Sequence, residues 1–209
     1  MPDWGEIFTD PKMQRLKPNQ ELLALLPIFK EAGCCRVLDA GCGAGRHLLP
    51  LAQEGFLVWG VDLEWAVLQT LKPRLKTELE PPRRAYLAQA DLRRLPFPAA
   101  SFDLAVSINA INHGDLKTFN GYCLELDRIL KLSGHLFIYT SPREAGERVR
   151  LPHTRELEPG TLVHHFPTPA ELRDNFPQYQ VHRLETVLAP IPFMGDAQLP
   201  QLIFWAQKS

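Results

Sequence analysis

Residues 37–47 read VLDAGCGAGRH: three glycines at alternate positions, directly behind a short apolar run that holds one acidic residue. Glycine loses more conformational entropy on folding than any other residue. Three of them in five positions point to a turn through positive φ, or to a ligand in contact with bare backbone. The run before the loop reads as a buried strand over 36–40, and GRHLLPLAQEG, 45–55, reads as a helix closed by Gly55. A glycine-rich link from strand to helix is where open α/β sheets bind ligands.

The rest of the chain repeats that alternation. Apolar spacing predicts helices over 19–31, 64–78, 115–131 and 168–176, and strands over 56–62, 84–89, 102–108 and 134–140. Pro27 is expected to kink or end the first helix. Two further strands, 179–187 and 201–208, are separated by about a dozen residues with three prolines and a glycine, which suits an antiparallel pair at a sheet edge. The expected fold is α/β, Rossmann-like and doubly wound, with a mostly parallel sheet covered by helices on both faces.

Composition narrows the function classes. The 209 residues, 45% hydrophobic and 22% charged, suit one domain with a sizeable core. A net charge of -1 gives no general attraction to nucleic acid or an anionic membrane. Residues 1–20 lack the basic and apolar regions of a secretory signal, so a cytoplasmic protein is expected. The four cysteines form no C-x-x-C pair, and neither a disulfide framework nor a metal site is expected.

Two ligand classes suit the glycine loop. A dinucleotide fingerprint needs G-x-G-x-x-G, whose third glycine lets helix and strand pack closely. Gly41 and Gly43 match, but the third place is Arg46, and the glycine falls one position early at Gly45. Asp62 ends the second strand 21 residues after Gly41, where a carboxylate can accept from two ribose hydroxyls in either ligand class.

The downstream motifs discriminate. VLDAGCGAGRH, GVDLE, ADLRRLPFPAASFDLAV and LDRILKLSGHLFI, in this order, resemble the class I S-adenosylmethionine-dependent methyltransferases, closest to the small-molecule branch of ubiquinone- and menaquinone-biosynthesis type. The resemblance covers about residues 33–140. It implies a seven-stranded sheet with an antiparallel last strand, and S-adenosyl-L-methionine as cofactor. It also implies that Asp39 and the Gly41, Cys42, Gly43 and Gly45 loop surround the methionine portion. Asp62 would take the ribose hydroxyls with Leu63 beside the adenine; Asp91 would accept from the adenine amino group with Leu92 against the ring; Asn109 would line the methionine end. Small size at a tight turn also accounts for Cys42.

The acceptor side has less pattern. His113, in NAINH after the fourth strand, is a candidate general base because an unperturbed imidazole titrates near 6.5; a solvated histidine at a helix entry is the other reading. His164 and His165 are candidate substrate contacts, as are Trp4 and Phe8, four apart on one helical face of a possible lid. Arg143, Arg148, Arg150 and Arg155 alternate with acidic residues and read as a solvated segment. Residues 1–209 are expected to form one domain: an N-terminal arm or lid (1–32), a cofactor-binding core (33–140) and a substrate loop with C-terminal strands (141–209). The expected reaction is methyl transfer to a small molecule by a monomer or homodimer, without nucleic acid or membrane partners. A module that binds the cofactor without turnover, a protein methyltransferase and a nicotinamide oxidoreductase are the competing readings.

Overall fold

A computed structural model describes residues 10–81, 84–143, 164–190 and 198–209. In chain order these form α1 (Pro11–Gln14), α2 (Gln20–Glu31), β1 (Arg36–Ala40), α3 (Leu48–Gln53), β2 (Leu57–Asp62), α4 (Trp65–Glu78) and β3 (Ala85–Gln89). They continue with β4 (Phe102–Ile108), α5 (Leu116–Ile129), β5 (Leu130–Thr140), α6 (Pro169–Asn175), β6 (Tyr179–Pro190) and β7 (Gln198–Lys208).

All seven strands join one sheet in the order β3-β2-β1-β4-β5-β7-β6. The first five are parallel, and β7 runs antiparallel to both its neighbours. The expected doubly wound sheet with an antiparallel last strand is therefore present. Strand order reverses between β1 and β4, so the loops after these two strands open beside each other.

Alternate residues of the strands feed two cores, as burial on both faces requires. On one face, Val37, Leu104 and Phe137 pack with Leu22, Leu26 and Phe29 of α2, with α3, and with Leu68 and Leu71 of α4. On the other, Leu38, Ala105, Ile138 and Phe204 pack with Phe119, Cys123 and Leu126 of α5 and with Leu172 of α6. Residues 20–31, part of the expected arm, are thus a core helix. All four cysteines are free thiols. Among the described residues, no helix is long and apolar enough to cross a membrane.

Several boundaries differ from expectation. α2 runs past Pro27 to Glu31, the end its apolar spacing predicts, so the proline does not end it. An internal proline costs about 3 kcal/mol, and burial of Leu22, Leu25, Leu26 and Phe29 on both sides of it outweighs that loss. Asn19 caps the helix start, accepting from the Leu22 N–H at 2.9 Å. The helix expected from 45 begins only at Leu48, because Gly41, Gly43 and Gly45 hold φ of 78°, 50° and 82° and the chain cannot wind until it has passed them. β5 begins at Leu130, not 134; Ser133 at φ 62° lies in an irregular stretch over which the register to β4 jumps from Phe102↔Leu130 to Leu104↔His135. β6 and β7 extend through Pro190 and Pro200, leaving only residues 191–197 between them. β7 has left β5 by then, since their pairing stops at Thr140↔Leu202, so Pro200 has one neighbouring strand and its missing N–H is tolerated.

Candidate cofactor and acceptor site

The glycine loop is held by the backbone of β2. The Gly41 and Cys42 N–H groups both donate to the Val61 carbonyl, at 2.8 and 2.9 Å, so the loop folds back over the carboxyl ends of β1 and β2. Gly41 has no room for a side chain, because an added Cβ would lie 2.3 Å from the Ala110 Cβ. That contact joins the loop after β1 to the loop after β4. Gly45 is confined in the same way by Leu71, whose Cδ1 would be 2.4 Å from an added Cβ. Arg74 of α4 reaches across to the Ala44 carbonyl at 2.7 Å and steadies the far side of the loop.

Two carboxylates flank this backbone. Asp62 ends β2; its Oδ2 accepts from the Gly43 N–H at 2.8 Å and its Oδ1 from the Glu64 N–H at 3.0 Å. Each oxygen keeps a further lone pair. Burial raises the Asp62 pKa against the opposing effect of those N–H groups. Asp39 is more deeply enclosed, at 1% exposure, and its Oδ2 has no hydrogen-bond partner among the described residues. Burial pushes its carboxyl up to about 7, with Arg46 and the Leu48 N–H pulling the other way and Asp62 adding repulsion.

Cys42 turns its side chain into the core, where its Sγ is one of the atoms that keep Gly60 bare, so only its backbone belongs to the loop surface. Leu63 is 60% exposed at the end of β2, and its carbonyl accepts from Gln89 at 3.0 Å. Asp91 lies past β3, with both carboxylate oxygens held by the Arg93 guanidinium; that ion pair holds its pKa below the usual range. Leu92 packs on the second core. Asn109 sits at φ 53°, a left-handed conformation that asparagine tolerates, and its N–H donates to the Tyr139 carbonyl at 2.8 Å.

The histidines converge at the loop after β4. His113 and His164 form an antiparallel backbone bridge, and their Nδ1 and Nε2 atoms lie 3.0 Å apart. The Tyr122 hydroxyl donates to the His113 carbonyl at 3.0 Å, and the His165 N–H to the Asn112 carbonyl at 3.0 Å. His165 instead turns toward α5 and α6: its ring lies 4.9 Å from Phe119 and its Nε2 is 3.5 Å from Glu171 Oε1. Arg143 pairs with that same carboxylate at 2.7 Å. Trp4, Phe8, Arg148, Arg150 and Arg155 lie outside the described residues.

Sequence reasoning did not single out Arg93 as the partner of Asp91, although the D-x-R spacing carries the signal. It missed His47 altogether. That ring is 5% exposed, and burial and the neighbouring Arg46 push its pKa well below the usual imidazole value.

Comparisons with known proteins point to one family. A methyltransferase domain family matches residues 37–134. A probable pectin methyltransferase of Arabidopsis thaliana is 32% identical over 146 residues, 66% of this chain and 23% of that protein. The yeast 18S rRNA (guanine(1575)-N(7))-methyltransferase is 41% identical over 102 residues, 48% of this chain and 34% of that one. A demethylmenaquinone methyltransferase of Tropheryma whipplei is 30% identical over 109 residues, 51% and 43% of the two chains. The chain thus spans less than half the length of these relatives. A crystal structure of a SAM-dependent methyltransferase from Methanosarcina mazei has the same fold: the TM-score is 0.72 at 20% identity, over 92% of this chain and 99% of that one.

Proposed function

The chain belongs to the class I S-adenosylmethionine-dependent methyltransferases, and from that premise we propose that it transfers the cofactor's methyl group to a small-molecule acceptor. The observation that carries the cofactor reading is the Asp62 carboxylate joined to the Gly43 N–H at 2.8 Å, which sets a ribose-reading group against bare backbone at the strand-order switch. The residues fit S-adenosyl-L-methionine. Asp62 has lone pairs left for two hydroxyls, Leu63 offers an exposed apolar face to the adenine, and Asp91 is an acceptor for its amino group. Asp39 keeps one buried oxygen for the methionine end.

When bound, S-adenosyl-L-methionine supplies a methyl group on a sulfonium, already activated for in-line displacement. The protein's part is position and proton transfer. Reactants held in line account for roughly 7 to 11 kcal/mol of barrier reduction. Asn109 and Ala110 bring the loop after β4 against the glycine loop, so an acceptor approaching from the β4 side meets His113 and His164. His113 takes the proton that a hydroxyl or amine acceptor must lose, with its ring set by His164 and its backbone by Tyr122.

The net charge of -1 and the relationship to a demethylmenaquinone methyltransferase support a small acceptor. The 41% identity to the rRNA methyltransferase favours a second reading, RNA as acceptor. Labelled methyl transfer separates them. With S-adenosyl-L-methionine and a metabolite extract, label is expected in the low-mass fraction; label only in RNA or protein, when these are offered in parallel, would overturn the small-molecule reading. Stabilisation by S-adenosylhomocysteine but not by NAD is the expected thermal-shift pattern, and the reverse would remove the cofactor assignment.

A further inference from the structure

The segment that carries His164 lies across the loop after β4, where backbone and side chains are fixed together. His113 and His164 stand opposite each other in an antiparallel bridge, and the His165 N–H donates to the Asn112 carbonyl beside it at 3.0 Å. Residues paired directly across from each other bring their side chains together on one face. The two rings meet at 64° with centroids 4.9 Å apart, and His113 Nδ1 lies 3.0 Å from His164 Nε2. Further contacts steady both residues. Phe166 stacks on the His164 ring at 5.8 Å and 7°, and the Tyr122 hydroxyl of α5 holds the His113 carbonyl at 3.0 Å.

The distance between the two nitrogens is that of a hydrogen bond, and a hydrogen bond holds one proton. Two bare nitrogens so close would set lone pair against lone pair, and two N–H groups would set proton against proton. The rings therefore cannot take their protons independently. In the neutral pair, a proton on His113 Nδ1 makes His164 Nε2 the acceptor and leaves His113 Nε2 a bare lone pair. A proton on His164 Nε2 instead requires His113 to carry its own on Nε2, and that ring then has no basic atom to offer. The carboxylates at the starts of the flanking helices serve as caps: Asp115 accepts from the Thr118 N–H at 2.8 Å, and Glu171 from the Thr168 N–H at 2.7 Å. The group that meets His113 Nδ1 is an imidazole, in the place that a carboxylate takes in a Ser-His-Asp triad.

We infer that His164 is a positioning residue that sets the proton of His113: its Nε2 accepts the His113 Nδ1–H, so that His113 Nε2 is the atom that receives the acceptor's proton. The inference rests on the reading of His113 as base and deepens it, because it assigns the nitrogen and the class of acceptor. As the acceptor's oxygen or nitrogen bonds to the methyl carbon, the carbon–sulfur bond breaks and its electron pair stays on sulfur as a neutral thioether. The acceptor's proton passes to His113 Nε2, and the pair that bound it stays on the acceptor atom. The positive charge lost from sulfur reappears on the imidazolium, whose Nδ1–H then donates to His164 as a charged and stronger hydrogen bond. An acceptor for this pair must carry hydrogen on its attacking atom, as a hydroxyl or N–H does. A tertiary amine or a thioether has no proton to give.

The test reads the tautomers directly, by nitrogen NMR of the labelled histidine rings of the full chain in mildly alkaline buffer, where imidazoles are neutral. Signals missing from His113→Gln and His164→Phe assign the two rings among the seven histidines. The wild type is expected to show a protonated Nδ1 and a bare Nε2 at His113, and a bare Nε2 at His164. His164→Phe keeps a ring against Phe166 but removes the acceptor, so His113 should lose its Nδ1 proton preference; His164→Ala serves if the larger ring does not fold. His164→Gln, whose amide oxygen can accept in place of Nε2, should restore the preference. Labelled methyl transfer to a metabolite extract gives a second readout: a fall of about tenfold or more in the Phe variant, and a rate within about threefold of wild type in the Gln variant. A bare Nδ1 at His113 in the wild type, a tautomer unchanged on removal of His164, or a Gln variant that behaves like the Phe one overturns the inference. A wild type with the expected tautomers and no methyl transfer to the extract is a different result, which removes the small-molecule reading itself.

Discussion

At the residue scale, the glycine loop and two carboxylates carry the proposed cofactor site. Asp62→Ala is expected to weaken S-adenosylhomocysteine binding by about 1.5 to 3 kcal/mol, roughly ten- to a hundredfold, through loss of charged hydrogen bonds; unchanged affinity in calorimetry would remove Asp62 from the site. Asp39 makes a separate prediction in pH. Its folded pKa is raised from 3.8 to about 7, so the native chain binds that proton more tightly than the unfolded chain does. The stability this contributes is complete below about pH 4 and is lost as pH rises through about 7. Asp62 acts in the same direction, whereas Asp91 and Asp103, whose pKa values are lowered, act in the opposite one. The difference between wild type and Asp39→Asn isolates the Asp39 part: urea unfolding across pH 4 to 8 should show a falling contribution that the variant lacks, and identical slopes would count against it. His113→Ala is expected to reduce turnover and leave cofactor affinity nearly intact, and equal turnover would return His113 to the other reading, a histidine at a helix entry with no part in proton transfer.

At the element scale, the contacts between loops matter more than the lengths of helices. Gly41→Ala puts a methyl 2.3 Å from the Ala110 Cβ at φ 78°, so the loops after β1 and β4 must separate. Loss of cofactor binding together with a lower Tm is expected, and a variant that binds normally would mean the two loops move independently. Thr168→Ala removes one half of the capping box at α6, where Thr168 Oγ1 accepts from the Glu171 N–H at 3.2 Å and Glu171 accepts from the Thr168 N–H at 2.7 Å. A loss of about 1 kcal/mol in denaturant unfolding is expected. Most elements were legible in the sequence because their patterns are local: the apolar run VLDA before the glycine loop, and apolar residues at helical spacing over 19–31 and 115–131. Tertiary contact overrides local breaker signals at two prolines: α2 continues past Pro27 on its core contacts, to the end its spacing predicted, and β7 carries Pro200 on a stretch with one neighbouring strand, which the expected start at 201 missed. The candidate site divides the same way. The place of Asp62 at the end of β2 could be read from spacing, but the bridge between His113 and His164 joins positions 51 apart, and no periodicity reports a contact of that kind.

At the scale of the whole molecule, the reversal of strand order puts the proposed cofactor and acceptor elements at one end of the strands, with the β1 and β2 loops on one side and the β4 loop, crossed by residues 164–165, on the other. The opposite end of the strands holds a cluster of Phe29, His135, His182 and Trp205, with Phe29 and His135 buried, Trp205 half-buried and His182 exposed; the rings of His182 and Trp205 are 4.7 Å apart. The insertion of β7 between β5 and β6 also has a bearing on the order of assembly. β6 pairs with β7 alone, along eleven registered residues from Tyr179↔Lys208 to Pro190↔Gln198. In a chain made from its N-terminus, β5 keeps an unpaired edge and β6 waits beside it until residues 198–208 have been synthesised. Final closure of this sheet is therefore a late event that follows translation of β7. Until then β5 offers its open edge to other nascent chains.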